Sequence, residues 1–468
     1  MAPALQQPPR TAGANFVYRS IAVGPSALLH FAPQNVISLT PNAISREMSP
    51  DLSPAGVQPV ALFDNNWAPT MTFAWSLGRR GVPLHVYGSG ASGWSRYCTQ
   101  RRSCPPPENT EIFLPWLRER LRSGEITRIA PTTDLIAYYC SLLREEFPEV
   151  VQRSIAPLAE IENALIKSRF CTACEAAGQP FPQIREPQTL EQALAAALEL
   201  GYPLILKPKS HLAVGTAERG GLIHDEAQLR AQFHEYSIAP GQESLAARYP
   251  ELRWPLLQRY IPSARSRVFS LTGVKDCDRG ILTAALSYKS KQWPPDIGTS
   301  IAQMSHVDER IMQAALPVVD QLVSRGLFEL ELVAGDSQLL AIDWNPRAYG
   351  FIKLDVARGH DLPWLWMCST LGPVEPLTLP PEVQRLEARH TLLYFLKRAA
   401  DLRFRGTARP PKDEATRWIS IMGHASDPVP MLIGYLSMLR HPRSLIRSQF
   451  ATAREWTGQP VERGATVL

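Results

Sequence analysis

Two carboxylates, an amide and an arginine, spaced along one pair of predicted strands, pose the first chemical question. Phe328 to Val333 alternates apolar and acidic residues, the two-residue period of a strand with one polar face. Gly335, Asp336 and Ser337 form a turn signal. Leu339 to Trp344 is a second apolar strand, and Asn345-Pro346-Arg347 ends it because proline cannot donate to a ladder. Glu331, Asp343 and Asn345 then fall on facing strands and offer oxygen donors of the kind that suits Mg²⁺. Arg347 lies just beyond them, placed to meet an anion or to pair with Glu329. The plain alternative is a surface hairpin with solvated acids.

Register separates the two readings, because a slip of one residue turns a side chain to the opposite face. An odd loop of Asp336, Ser337 and Gln338 pairs Glu331 with Asp343 and Glu329 with Asn345, and so selects Glu331 as the acid opposite Asp343. A two-residue loop of Gly335 and Asp336 breaks the site unless a bulge restores it.

Other residues pose the same kind of choice. Pro203 to Leu206 is an apolar strand that delivers Lys207, either a satisfied edge lysine or a cation held for phosphate. Ser210 to Gly221 holds Gly215, Gly220 and Gly221 and reads as a flexible loop able to close over phosphates, with His211 beside it. Lys167 sits in a helical stretch. Lys289, Lys291 and Trp293 mark either a pocket for a carboxylate substrate or a solvated basic loop. Asp134 follows a predicted strand end, where α/β sheets line ligand crevices, and either caps the next helix or touches substrate. Cys171 and Cys174 are spaced like half a redox or zinc motif, but no second pair answers them, and they read as ordinary helix residues.

The elements that position these residues read as α/β. Val60 to Phe63 is a strand, Pro69 to Arg80 a helix closed by Gly81, and Val82 to Val86 the next strand. That spacing predicts a parallel, Rossmann-like sheet, without the glycine fingerprint of a dinucleotide site. A helix over Ile112 to Ser123 and a strand over Ile126 to Ala130 follow. Leu190 to Leu200 is a helix ended by Gly201. Leu256 to Ile261, Arg267 to Leu271 and Gly280 to Tyr288 are strands, and Val307 to Ser324 is an amphipathic helix leading into the hairpin. From Leu362 onward the chain reads as mostly helical, with helices over Leu392 to Arg405 and Pro428 to Arg440.

Composition bounds the function classes. A chain of 468 residues exceeds one core. A net charge of +5 with scattered basic residues gives no reason to expect nucleic acid. No apolar run reaches the ~18 residues of a membrane span. Seven cysteines, an odd and sparse number, suit reduced thiols in a cytoplasmic protein. Residues 1–57, with no acid before Glu47, read as a disordered extension; the early arginines and serines resemble a transit peptide, and Met48 is a candidate start.

The order of these motifs resembles the ATP-grasp superfamily, and within it the carboxylate–amine ligase group. Lys167 precedes a Gly178-x-Pro180-x-Pro182 segment, Lys207-Pro208 follows, then Gln258-Arg259-Tyr260-Ile261, and last Glu331 with Ile342-Asp343-x-Asn345-Pro346-Arg347. The resemblance covers roughly residues 58–400. It implies a Rossmann-like domain at 58–155, a small lobe with a lid at 156–255 and a large lobe with a metal site at 256–400. The two lobes are α+β, and a helical extension at 401–468 completes the chain.

The same resemblance implies ATP with Mg²⁺, or Mn²⁺ in its place. Lys167 and Lys207 look like the phosphate cations. Gln258, with the backbone of Arg259 and Ile261, looks like the adenine contact. Glu331, Asp343 and Asn345 look like the metal ligands, and Arg347 like the residue steadying the transferred phosphoryl group. The implied reaction joins a small carboxylate to an amine through an acyl phosphate, with ADP released. Alternatives are a ligase using another nucleophile and a non-catalytic ATP-binding protein; no biotin-attachment pattern is present. A homodimer is an option the helical tail leaves open. The sequence departs from the family pattern at Asp343, where many relatives have glutamate, at Arg219 in the lid, where lysine is frequent, and at Arg259, where glutamate is common.

Overall fold

The computed structural model describes residues 57–214, 220–293, 297–335, 337–377, 379, 385–397 and 417–440, all within one unit spanning residues 50–468. The predicted N-terminal extension, lid residues 215–219 and the end of the predicted helix at Leu392–Arg405 lie outside them. Among the described residues no helix is long and apolar enough to cross a membrane.

Three sheets carry the chain. The first is parallel: β1 (Val60–Phe63) pairs with β2 (Leu84–Tyr87), and β2 with β3 (Gln100–Arg102). Helix α1 (Trp67–Gly78) makes the crossover, as the β-α-β spacing requires. The strand expected at Ile126–Ala130 contributes one bridge only, Ile129 beside Ala61. Helices α2 (Thr110–Arg122) and α3 (Asp134–Leu142) flank this sheet. Next come α4 (Leu158–Leu165) and α5 (Lys167–Ala176), broken at Ile166, whose backbone is extended.

The second sheet is antiparallel, in the order β4-β7-β5-β6: β4 is Ile184–Arg185, β5 Leu204–Lys207, β6 Gly221–Ile223 and β7 Leu256–Arg259. Helices α6 (Leu190–Leu200) and α7 (Glu226–Gln232) cover it, burying Ala193, Ala197 and Leu229 against Leu204, Leu206 and Leu257. Gly201 ends α6 with φ at 77°, a conformation that favours glycine.

The third sheet has seven strands, in the order β12-β11-β8-β9-β10-β13-β14. Its centre is β8 (Val268–Asp276), β9 (Gly280–Trp293), β10 (Thr299–His306), β11 (Gly326–Ala334) and β12 (Leu339–Asn345), all antiparallel. Helix α8 (Glu309–Leu322) connects β10 to β11. One face of the hairpin, with Phe328, Leu330, Leu332 and Trp344, packs into a core shared with α4, α5 and α8. Phe328 and Trp344 stack with ring centroids 5.9 Å apart.

Two expectations change here. Lys289 and Lys291 lie within strand β9, so the basic segment is not a loop. The region beyond Leu362 is not simply helical. Helices α9 (Ile352–Ala357) and α10 (Leu362–Leu371) are followed by β13 (Leu386–Arg389) and β14 (Arg417–Ser420), which pair in parallel and extend the large sheet. The last described element, α11 (Pro428–Arg440), has the expected bounds. The buried Lys353 ammonium on α9 holds this tail by donating to the carbonyls of Ser420 and Gly423.

Trp366 ties the parallel sheet's helix to the large sheet's helices. It is fully buried, meets Phe73 of α1 edge to face at 5.5 Å, and donates its indole N–H to the Ser154 carbonyl at 3.1 Å. Replacing Trp366 with Ala should therefore destabilise the protein by about 3–5 kcal/mol, read by urea denaturation; a loss below about 1 kcal/mol would mean that this contact does not hold the layers together.

Candidate active site

The hairpin register sets the site. Glu329 pairs with Asn345 and Glu331 with Asp343, the pairs expected, but by another route. Ala334 pairs with Leu339, so the loop holds four residues, an even number, and Gly335 N–H donates to the Gln338 carbonyl at 2.8 Å. A regular ladder from that loop would set Ile342 opposite Glu331. The register shifts by one residue between Glu331 and Leu332, and the bulge restores the Glu331–Asp343 pair. Ile342 and Asp343 consequently both line one cavity, with Glu329, Glu331, Val333 and Asn345 beside them.

That cavity has a volume of about 530 Å³, within the usual range for small-molecule sites. Its acids and cations interleave. Lys167 Nζ donates to Asp343 Oδ1 at 2.5 Å, and Lys289 Nζ to Glu331 Oε2 at 2.9 Å. Burial works against both charged lysines, but the facing carboxylates outweigh it and raise their pKa values. Burial would also push Asp343 up; the Lys167 ammonium overrides it and holds Asp343 below its ordinary value. Glu329 goes the other way, raised by burial and by the neighbouring Glu331 charge. Lys207, at the end of β5, is brought to about 7 by burial and then by the Lys167 ammonium. The two lysines are neighbours because Lys167 N–H, at the start of α5, donates to the Lys209 carbonyl at 2.9 Å.

Arg347 does not pair with Glu329. Its Nε donates to Asp134 at 2.5 Å, its Nη2 to Asn345 Oδ1 at 2.9 Å and its Nη1 to the Ala348 carbonyl at 2.9 Å. Asn345 Nδ2 in turn donates to Glu329 Oε2 at 2.9 Å. Asp134 opens α3 but does not cap it; the Thr133 hydroxyl accepts from Ile136 N–H instead. Asp134 lines the cavity, so the parallel sheet contributes one carboxylate to the site.

At the other end the walls are apolar: Ile205, Ile261, Ala264, Val268, Val333 and Ile342. Gln258 is buried among them, paired in register with Ile205 on one side and Ile184 on the other. The Arg259 N–H is committed to the Gln183 carbonyl at 2.9 Å, and its side chain is exposed. The Ile261 carbonyl accepts from Ala264 N–H at 2.9 Å.

The loop after Lys207 is less free than its glycines suggest. Lys209 is 1% exposed and pairs with Glu186 at 2.8 Å. Leu212 and Ala213 are buried in the main core, and the Ala213 carbonyl accepts from Ala239 N–H at 3.0 Å. Ser210, His211 and Gly220 line the cavity.

Lys289 is thus brought into the site and Lys291 is not. The Lys291 ammonium lies 5.0 Å over the Tyr394 ring and is absent from the cavity wall. The side chain of Trp293 lies outside the described residues. Cys171 and Cys174 are buried thiols raised by burial to about 11 and about 12. Sequence reasoning missed Gln303 on β10, which is buried in the cavity wall and donates to Ser287 Oγ at 2.7 Å. Its only sequence signal is a polar residue inside an apolar strand.

The donor set fits a hard divalent cation. Glu331 and Asp343 are carboxylates on one face, Asn345 adds an amide oxygen, and each acid is balanced by a lysine that an arriving cation would replace. Among the described residues a second acid group, Asp276, Cys277 and Asp278, is already engaged by Arg153.

Comparisons with known proteins bear on the fold that carries this arrangement. No protein-family model matches the chain. The carbamoyl phosphate synthase large chain of Vibrio parahaemolyticus is 24% identical over 194 residues, 40% of this chain and 16% of that protein. The same enzyme chain of Thermus thermophilus is 25% identical over 198 residues, 41% of this chain and 18% of that one. The chain thus spans under a fifth of these curated relatives.

Among solved structures, the biotin carboxylase domain of Hydrogenobacter thermophilus 2-oxoglutarate carboxylase, in complex with MgADP, ADP and bicarbonate, superposes with a TM-score of 0.53. It is 14% identical and the match covers 68% of this chain and 71% of that one. N5-carboxyaminoimidazole synthetase from Staphylococcus aureus, complexed with ADP, gives a TM-score of 0.52 at 14% identity, over 70% of this chain and 80% of that one.

The lowered Lys207 gives a proton signature. Above its value of about 7 the Lys207 side chain is mostly the neutral amine, and a polyphosphate ligand that pairs with its ammonium form raises its pKa again. Binding of such a ligand at about pH 8 should therefore take up close to one proton, and at about pH 6, where both states are protonated, almost none. Calorimetry with ATP in buffers of different ionisation enthalpy measures the uptake; if Lys207→Met takes up the same proton, Lys207 is not its source.

Proposed function

We propose, on the premise that this chain has the ATP-grasp fold of those enzymes, that it is an ATP-dependent, ADP-forming carboxylate–amine ligase. The observation that carries the reading is the Glu331–Asp343 pair, with Asn345 beside it and Lys167 and Lys207 against it, in one cavity of ligand size. Glu331, Asp343 and Asn345 would hold Mg²⁺, or Mn²⁺ in its place, which supplies charge neutralisation at the phosphates.

The remaining parts follow from charge and shape. The apolar walls around Ile205, Val333 and Ile342 suit adenine, with Gln258 beside it. The Ile261 N–H is the donor left for the base, since its carbonyl is taken by Ala264. Lys167 and Lys207 meet the triphosphate. Arg347, with two guanidinium N–H groups beyond its three bonds, steadies the phosphoryl group in transfer, and Lys289 draws the substrate carboxylate toward it.

A substrate carboxylate oxygen attacks the γ-phosphorus, the bond to the bridging oxygen breaks, and ADP leaves. The amine then attacks the acyl phosphate carbon, loses a proton, and inorganic phosphate departs with the formation of an amide. The cations around the cavity lower the repulsion between two anions that must meet. The cysteines take no part; all seven are unbridged, which fits a cytoplasmic setting.

A ligase with a different nucleophile shares every step up to the acyl phosphate. A non-catalytic ATP-binding protein is disfavoured because the acids, the amide and the lysines all stand in one cavity. ADP release assayed against a panel of small carboxylates and amino acids tests the reading. Asp343→Asn should lower ADP formation about 100-fold or more while circular dichroism shows the fold retained; activity surviving that change would remove Asp343 from the metal site.

A further inference from the structure

An arginine that must meet a group in transfer needs a fixed aim, and its long side chain has many ways to lose it. Arg347 stands just beyond β12, and each of its three nitrogens has one partner: Asp134, the Ala348 carbonyl and Asn345. The last two belong to Arg347's own stretch of chain and move with it. Asp134 comes from 213 residues away.

The loop that presents Asp134 is pinned residue by residue. Ala348 N–H donates to the Pro131 carbonyl at 2.9 Å, Asn66 Nδ2 donates to the Thr132 carbonyl at 3.2 Å, and the Thr133 hydroxyl caps α3. With capping done by Thr133, the Asp134 carboxylate is left for Arg347 Nε, at 2.5 Å. The bond from Ala348 to Pro131 already clasps the two backbones, so the carboxylate is not needed to join them. An ion pair as open to solvent as this one also adds little to stability. What the carboxylate adds is direction. It fixes the Nε end of a planar group, and the two N–H groups left over then have a set heading.

We propose that Asp134 is a positioning residue that aims the Arg347 guanidinium at the phosphoryl group in transfer, a role that rests on the ligase reading above. Asp134 acts through Arg347 and touches neither nucleotide nor metal. It neither caps its helix nor meets substrate, the two roles its place in the sequence suggests.

Binding of two magnesium nucleotides separates aim from support. ADP with aluminium fluoride imitates the phosphoryl group in transfer, and β,γ-methylene-ATP imitates the ground state. Asp134→Ala should weaken the ADP–aluminium fluoride complex about 10-fold, the order lost with one hydrogen bond to a charged group, and leave β,γ-methylene-ATP within about twofold. Asp134→Asn keeps an oxygen for Nε, so its loss should be smaller but confined to the same complex; it stands in if circular dichroism shows Asp134→Ala misfolded. In the Arg347→Ala background Asp134→Ala should cause no further loss, because the side chain it acts through is gone.

An equal loss for both nucleotides would overturn the proposal, as it would mark Asp134 as a general support. So would a further loss in the Arg347→Ala background, which would mean that Asp134 meets the ligand itself. Unchanged ADP–aluminium fluoride binding in both Asp134 variants, or a parent that holds ADP no more tightly with aluminium fluoride than without it, would also overturn it. If the parent binds neither magnesium nucleotide, the ligase reading fails first, and this role goes with it.

Discussion

Opposite charges packed into one cavity, three of the cations paired with a carboxylate, are the constraint on which the rest of this structure depends. Asp134, Glu329, Glu331 and Asp343 share the cavity with Lys167, Lys207, Lys289 and Arg347. An isolated charge in such a place is costly to bury, and its pKa moves until it is neutral or paired. Lys167 on Asp343 and Lys289 on Glu331 are the pairs that make the acids tolerable. Binding is then an exchange of partners. On the proposed function, a divalent cation would take the acids from the lysines, and anionic substrates would take the lysines from the acids. Either ligand alone leaves charges without partners; both together restore the balance. Nucleotide and metal are therefore expected to favour each other's binding through electrostatics alone.

Each sheet supplies a different part of that balance. The large sheet gives Glu329, Glu331, Asp343 and Asn345 from the adjacent strands β11 and β12, with Arg347 just past β12 and Lys289 on β9 across β8, so the ladder sets their spacing. The four-stranded sheet gives Lys207 and Gln258. The helix beside the parallel sheet gives Asp134, which grips the Arg347 guanidinium. Lys167 comes from a short break between two helices, where Ile166 adopts extended backbone and turns the next helix toward the site. Buried apolar contacts behind the hairpin, Phe328 on Trp344 above all, keep these parts from drifting.

Local periodicity made some of this legible before the fold. The alternation in Phe328–Val333 identifies the strand and its acidic face, and Gly201 and Leu190–Leu200 mark a helix whose bounds the structure reproduces. The pairing of Glu331 with Asp343 was also legible, but it arises by a different route from an odd loop. An odd loop was expected, and the structure has an even loop with a bulge. The bulge was illegible because nothing in the turn residues demands it; it answers to β11, whose other edge is fixed by β8. Partners were the least legible. Arg347 meets Asp134, 213 residues away in sequence, and no local pattern carries that information. The return of the chain as β13 and β14 was hidden for a similar reason, since an edge strand of four residues has too few positions to show a period.

The bulge at Ile342 separates two design problems that a plain hairpin would merge. In an unbroken ladder the number of residues at the tip dictates, by odd or even count, which side chains face inward all the way down. Here one unpaired residue absorbs the mismatch before the ladder reaches Glu331. The tip can therefore answer to its own turn chemistry, and the acids to their own geometry. The bulge therefore offsets a one-residue mismatch from the tip and leaves the inward face of the acids unchanged. The stretch from Ile342 to Arg347 has no such slack, because every change of count there is read directly as a change of side.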